Sequence, residues 1–200
     1  MSWITDVDTL EGLYADVSTL AIRKVAPQMT PMYKRWIDAS RYCVLATVGP
    51  EGTDASPRGD DGPVVEIPDP NTLLMPDWRG NNRLDSLRNI VRDGRVSLMF
   101  MVAGSDIVVR INGMARISAD PTLCARFEQR GKHPATVIVI KPAEVYAQCP
   151  KAHVRADIWN RDDSAGLPTL GDMLQEMTSG EYAAKDLDAA FPARMQETLW

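Results

Sequence analysis

The sequence predicts a mainly β protein with flanking helices, its strands arranged as an antiparallel barrel, closed or partly closed, of about six strands. Three observations predict it. Apolar, β-branched runs recur through the middle of the chain, and each is cut off by a Gly, Pro, Asn or Asp turn signal. Successive runs are mostly joined by connections too short for a crossover helix, so hairpins dominate. No regular alternation of strand and helix is present, which disfavours a doubly wound parallel fold.

Residues 1–40 read as helical. Leu10, Leu13, Tyr14 and Val17 recur at helical spacing, with Asp8 or Thr9 as N-cap, and a second segment after Pro27 and Pro31 carries Met32, Arg35 and Trp36. The period then changes. Tyr-Cys-Val-Leu-Ala-Thr-Val predicts a strand over 42–48, Gly-Pro-Glu-Gly a turn, and 53–58 the returning strand of a hairpin. Residues 64–67 and 72–75 make two more strands around Pro-Asp-Pro-Asn. A short helix follows, capped by Asn81 or Asn82, with Asp85 as a capping-box partner and Leu84, Leu87 and Val91 on one face. Two long strands over 95–103 and 106–117 meet at a tight Gly104-Ser105 turn. A helix over 120–129 leads to a strand region over 135–149, bent near Pro142. Helical patches begin at Lys151 and end with a helix over 186–200.

Composition narrows the function. Lys and Arg number 22 against 27 Asp and Glu, a formal net charge of −5, which weakens any nucleic-acid reading. A hydrophobic share of 44% excludes a wholly disordered chain. The longest apolar run covers only residues 98–103, where a membrane span needs about 20 residues. The first residues show no basic segment followed by an apolar one, so a cytoplasmic protein is expected. Three cysteines without C-x-x-C spacing fit reduced thiols, and His133 and His153, the two histidines, are too few for most metal sites. The familiar nucleotide-binding, zinc-protease and serine-hydrolase motifs are absent.

Three cationic elements carry the chemistry that is legible. In the first, a strand ends at Met75, Pro76, Asp77 and Trp78, and Arg79, Gly80, Asn81, Asn82 and Arg83 lead into a helix. A helix N-terminus favours an anion, and an arginine fork suits phosphate because it donates two parallel hydrogen bonds. The same residues also describe a capped surface helix with solvated arginines. In the second, Ser56 and Arg58 sit near a strand end, where an edge-strand arginine facing water is the alternative. The third is the basic stretch from Lys151 through His153 to Arg155, equally a solvated face. Trp78 reads either as ordinary packing or as an exposed indole beside the anion site. Met99, Met101 and Met173 read as core filling.

At these residues the sequence resembles the pyridoxamine 5′-phosphate oxidase-like flavoproteins. The resemblance runs through Tyr-Cys-Val-Leu-Ala-Thr-Val from Tyr42, Ala-Ser-Pro-Arg-Gly-Asp from Ala55, Asn-Asn-Arg-Leu-Asp-Ser-Leu from Asn81, and Gly-Arg-Val-Ser-Leu-Met-Phe from Gly94, to Trp159. The C-terminal Pro-Thr-Leu-Gly-Asp-Met-Leu from Pro168 is similar to one uncharacterised branch. The resemblance implies a split barrel that binds FMN, over residues 41–160, with helical extensions over 1–40 and 161–200. It further implies a homodimer with FMN at the subunit interface. Arg58, Arg79, Arg83 and the Asn81–Asn82 turn would hold the phosphate, with Ser56 also among the cofactor-binding residues. Met75, Pro76, Asp77 and Trp78 would run along the flavin ring, and Lys151 would approach it from the partner chain. The oxidase's pyridoxal-phosphate-binding residues and its C-terminal Arg-x-His have no counterpart here, so vitamin B6 is not implied as substrate. The expectation is an FMN-dependent oxidoreductase acting on a small molecule, with no side chain marked as catalytic. The alternative is a non-catalytic binding or storage protein for flavin, F420 or haem.

Overall fold

The structure, a computed structural model, describes residues 2–200. Among the described residues seven strands form one sheet, one for each strand segment read from the sequence: β1 (Tyr42–Gly49), β2 (Gly52–Gly59), β3 (Glu66–Asp69), β4 (Thr72–Asp77), β5 (Arg95–Met101), β6 (Val108–Ser118) and β7 (Thr136–Gln148). The order is β2-β1-β5-β6-β7-β4-β3, with every neighbouring pair antiparallel. β2 and β3 are the open edges, and the sheet does not close. It nevertheless curls. Cys43 and Leu45 of β1 share one buried cluster with Ile67 of β3, from near the other end of the strand order. This is a split barrel.

Around it lie α1 (Val7–Glu11), α2 (Thr19–Arg23), α3 (Pro31–Ile37), α4 (Asp85–Arg92), α5 (Pro121–Cys124), α6 (Lys151–Ala156), α7 (Leu170–Met177) and α8 (Ala184–Thr198). Alternation fixes which strand faces turn inward: Cys43, Leu45 and Thr47 in β1, and Val96, Leu98 and Phe100 in β5. In β7 the buried parity shifts. Ile138 and Ile140 precede it and Val145 follows it, because a bulge opposite Asn112 and Gly113 inserts one residue. The bend expected near Pro142 is this bulge, where a proline in a central strand is tolerated.

Several local expectations change. α1 begins on Asp6, whose carboxylate accepts from Thr9 N–H, two residues before the nearer expected cap. β3 starts at Glu66 because Val64 donates its N–H to Ser40 in a preceding loop. α4 starts at Asp85 with no side-chain cap. Asn82 and Leu84 both take left-handed backbone (φ 60° and 62°), so the chain turns once more before the helix begins. Asn81 instead accepts from Arg83 N–H, and Asp85 pairs with the Arg83 guanidinium rather than boxing a cap. The buried face of α4 is Ser86, Asn89 and Ile90, while Leu84 and Val91 are exposed. Asn89 explains that choice by donating to the buried Thr47 hydroxyl at 3.1 Å. The β5–β6 connection runs over 102–107, longer than a two-residue turn, with Gly104 at φ 81°. Met173 is exposed, so it does not fill the core.

The ends differ in how they attach. Ala26 and Val145 exchange both backbone hydrogen bonds, and Tyr33 Oη donates to Lys24 and accepts from Ala147 N–H. That laces residues 24–33 to β7. α1 and α2 bury no residue of their own. α7 and α8 form a hairpin in which Asp188 accepts from Thr169 Oγ1 and Gly171 N–H, and Gln175 accepts from Ala184 N–H.

Candidate functional site

A cavity of about 1420 Å³ opens where β2, the end of β4, the turn into α4 and the start of β7 meet. Ser56 and Arg58, two apart on β2, point to the same side of the strand. Arg58 Nη1 donates to Asp77 Oδ1 at 2.5 Å and its Nε donates to Ser56 Oγ at 3.1 Å. Both members of the ion pair are largely buried, at 19% and 18% side-chain exposure. Ser86 Oγ donates to Asp54 Oδ2 at 2.5 Å and lies 3.1 Å from Ser56 Oγ. A serine has one O–H and that of Ser86 is spent on Asp54, so Ser56 donates to Ser86. One polar chain therefore runs Asp77, Arg58, Ser56, Ser86, Asp54 across β4, β2 and α4.

A second network orients Trp78. Its indole N–H donates to Asp60 Oδ2 at 2.7 Å, and Asp60 Oδ1 accepts from Gln129 Nε2 and from Asp61 N–H. Trp200 packs edge-on against Trp78, with ring centroids 5.3 Å apart and planes at 84°. The carboxylates on the cavity wall all have partners: Asp54 and Asp60 as described, Asp77 with Arg58, Asp85 with Arg83, and Asp61 with Arg41. Among the described residues, Arg79 and Arg130 on the same wall have no carboxylate partner. Thr136 Oγ1, also on the wall, is buried and has no hydrogen-bond partner in the described protein.

Of the residues singled out in the sequence, Ser56, Arg58, Pro76, Asp77, Trp78, Arg79, Asn81, Asn82 and Arg83 line this one cavity. Met75 does not: its side chain is 1% exposed and belongs to the core cluster. Its backbone is another matter. β3 pairs with β4 only as far as Leu74, so Met75, Pro76 and Asp77 have no ladder partner on that side. Lys151 does not line the cavity either. It opens α6 beyond the far end of β7, whose 13 residues span about 40 Å of strand from Thr136. His153 and Trp159 bond to backbone carbonyls of the β5–β6 loop, Asp106 and Ser105, which places α6 there.

Sequence reasoning missed the roles of Asp54, Asp60, Ser86, Arg130, Thr136 and Trp200. Asp60 ends the Ala-Ser-Pro-Arg-Gly-Asp motif and Ser86 stands in the Asn-Asn-Arg-Leu-Asp-Ser-Leu motif, so both were findable. Trp200 reaches the site through the α7–α8 packing, for which no local pattern exists.

Cys43 stands opposite Arg58 in the β1–β2 register, and burial pushes its thiol up to about 12 although the Arg58 charge pulls it down. The unfolded thiol ionises near 9.0. Above that pH the unfolded state loses a proton that the native state keeps, so stability falls as pH rises, by up to about 1.4 kcal/mol per pH unit. Cys43→Ala is expected to remove this slope relative to the parent chain, read from urea midpoints between about pH 8 and pH 10.

Comparison with known proteins fits this architecture. The family profile described as pyridoxamine 5′-phosphate oxidase matches residues 29–149, and the chain belongs to that family. Among solved structures, HupZ of Group A Streptococcus is similar at 18% identity over 60% of this chain and 93% of that one, with a TM-score of 0.49. General stress protein 26 of Bacillus anthracis matches at 19% identity, over 58% and 91% of the two chains, with a TM-score of 0.44. An F420 reductase matches at 18% identity, over 58% and 98%, also with a TM-score of 0.44. No curated protein matches the chain. Among the described residues no helix is long and apolar enough to cross a membrane, and no cluster of ligating side chains is arranged for a metal.

Proposed function

We propose that the chain binds FMN in this cavity and serves as a flavin-dependent oxidoreductase acting on a small molecule. The observation that carries the reading is the state of the arginines. Arg79 stands on the wall without a carboxylate, beside a turn whose two left-handed residues hold Asn81, Asn82 and Arg83 ahead of α4. A phosphate is the anion that such a turn and such a guanidinium suit. Arg58 adds to them: with Nε on Ser56 and Nη1 on Asp77, it keeps N–H groups to spare.

The residues present fit the cofactor. Thr136 Oγ1 is a buried hydroxyl lacking a partner, which is costly unless a ligand atom supplies one. The unpaired edge of Met75, Pro76 and Asp77 offers backbone groups to a flat polar ring, and Trp78 adds an aromatic wall. The cavity exceeds the roughly 300–1,000 Å³ usual for one ligand, which leaves room for a small substrate beside the cofactor. FMN, when bound, supplies the hydride and electron chemistry. The chain's own residues would bind its phosphate and orient its ring.

The reading includes a homodimer. Trp3, Ile4, Val7, Leu10, Leu13, Tyr14, Val17 and Leu20 are all exposed here, an apolar arm that a second copy can cover. Lys151, remote from its own cavity, would then serve the partner's.

The test is equilibrium titration with FMN. Arg79→Ala is expected to weaken FMN about tenfold to a hundredfold, the worth of a hydrogen bond to a charged group. It should leave riboflavin, which lacks the phosphate, unchanged. Equal effects on both ligands would remove Arg79 from the phosphate.

A further inference from the structure

Trp78 and Trp200 meet in the cavity from unrelated parts of the chain, and they are held very differently. Trp78 is fixed at its polar edge. Its N–H is bonded to Asp60, and Asp60 is itself held by the Gln129 side chain and the Asp61 backbone. Trp200 has no hydrogen bond from its indole among the described residues. Its place is set by the edge-on ring contact and by Lys132 Nζ, which donates to the Trp200 main-chain oxygen at 2.9 Å and reaches the Glu197 carbonyl at 3.5 Å. Behind it, α8 is tied by side chains to α7 rather than to a strand. One indole is thus a fixed wall and the other a loosely held occupant.

An edge-on contact covers less of an indole face than a stacked flat ring does, and offset stacking is an equally favoured aromatic geometry. We infer that Trp78 is the seat for a planar aromatic ring, that Trp200 competes for that seat, and that a flat ligand binds by displacing it. The class of ligand follows from the seat: a fused, planar heteroaromatic. That its ring is a flavin rests on the function proposed above; the exchange of one aromatic for another does not.

The exchange sets a measurable penalty on binding. Breaking one aromatic pair weakens apparent affinity by a factor of about two to ten, which removal of Trp200 should return. The experiment titrates the full chain, Trp200→Ala, Trp200→Phe and Lys132→Ala with FMN and with lumichrome, the flavin ring without its ribityl phosphate. Lys132 is not on the cavity wall, so its loss frees Trp200 without altering the seat. Trp200→Ala and Lys132→Ala are expected to bind both ligands about two- to tenfold more tightly, with Trp200→Phe close to the parent. Unchanged or weaker binding of both ligands by Trp200→Ala would overturn the inference. So would failure of lumichrome to bind any of the four proteins. Tighter lumichrome binding with no advantage for FMN would support the seat while removing the phosphate site.

Discussion

Arg58→Met is expected to cost about 3 kcal/mol of stability, toward the lower end for breaking a buried ion pair because about a fifth of each side chain still meets water. The loss has two sources. Asp77 keeps a charge in a poorly solvated place with its strongest partner gone, and Ser56 loses the Nε–H that begins the chain to Ser86 and Asp54. Urea unfolding measures the cost directly. The double variant Arg58→Met, Asp77→Leu separates the pair's two roles, since replacing both members of a buried pair by apolar groups is often neutral. Most of the stability should return in it, while FMN affinity should stay low. A double variant as unstable as the single one would mean that the cost lies in packing, not in an orphaned charge.

Gly113→Ala carries the second large effect. An added Cβ would stand 2.2 Å from the Lys141 carbonyl oxygen and 3.1 Å from Pro142 Cα, both backbone atoms of β7 that no rotamer change can move. Overpacking costs typically about 1–3 kcal/mol, and a clash with a ladder backbone belongs at the top of that range. The consequence reaches the site. β7 pairs with β6 on one side and with Leu73 to Asp77 of β4 on the other, so displacing it shifts the strand that carries Asp77. A lowered urea midpoint together with weaker FMN binding is the expected result. Unchanged stability would show that the β6–β7 bulge opens easily and does not position the site.

The strands were legible because their signals are local. Gly49-Pro50-Glu51-Gly52 ends β1 and opens a hairpin in perfect register through Tyr42 and Gly59, and buried Phe100 alternates with the half-buried Met99 and Met101 as a strand with one core face requires. β3 begins two residues later than the apolar run predicts, since Val64 and Val65 are apolar because they join the core cluster, and Val64 donates its N–H to Ser40 rather than to a ladder. The helix after β4 misled for a different reason. Asparagines before an amphipathic stretch normally cap it, yet here Asn82 and Leu84 spend positive φ on an additional turn. That extra turn is what frees the loop to face the cavity. The cationic half of the candidate site could be read because arginine, glycine and asparagine cluster within nine residues of chain between Met75 and Arg83. Asp77 could be read with that cluster and Asp60 lies in a motif that carries the resemblance, but their partners, Arg58 and Trp78, and the part played by Asp54 were not legible, because an aspartate's partner is chosen by the fold and not by spacing. Trp200 was invisible for the same reason at longer range.

The central claim is that one cavity holds both a flat ring and a phosphate. Parallel equilibrium titrations of the full chain with FMN and riboflavin test it most directly. Binding of both, with FMN tighter by about tenfold or more as charge-assisted hydrogen bonds to a phosphate require, is the predicted result. Equal affinities, or no binding of either, would contradict it.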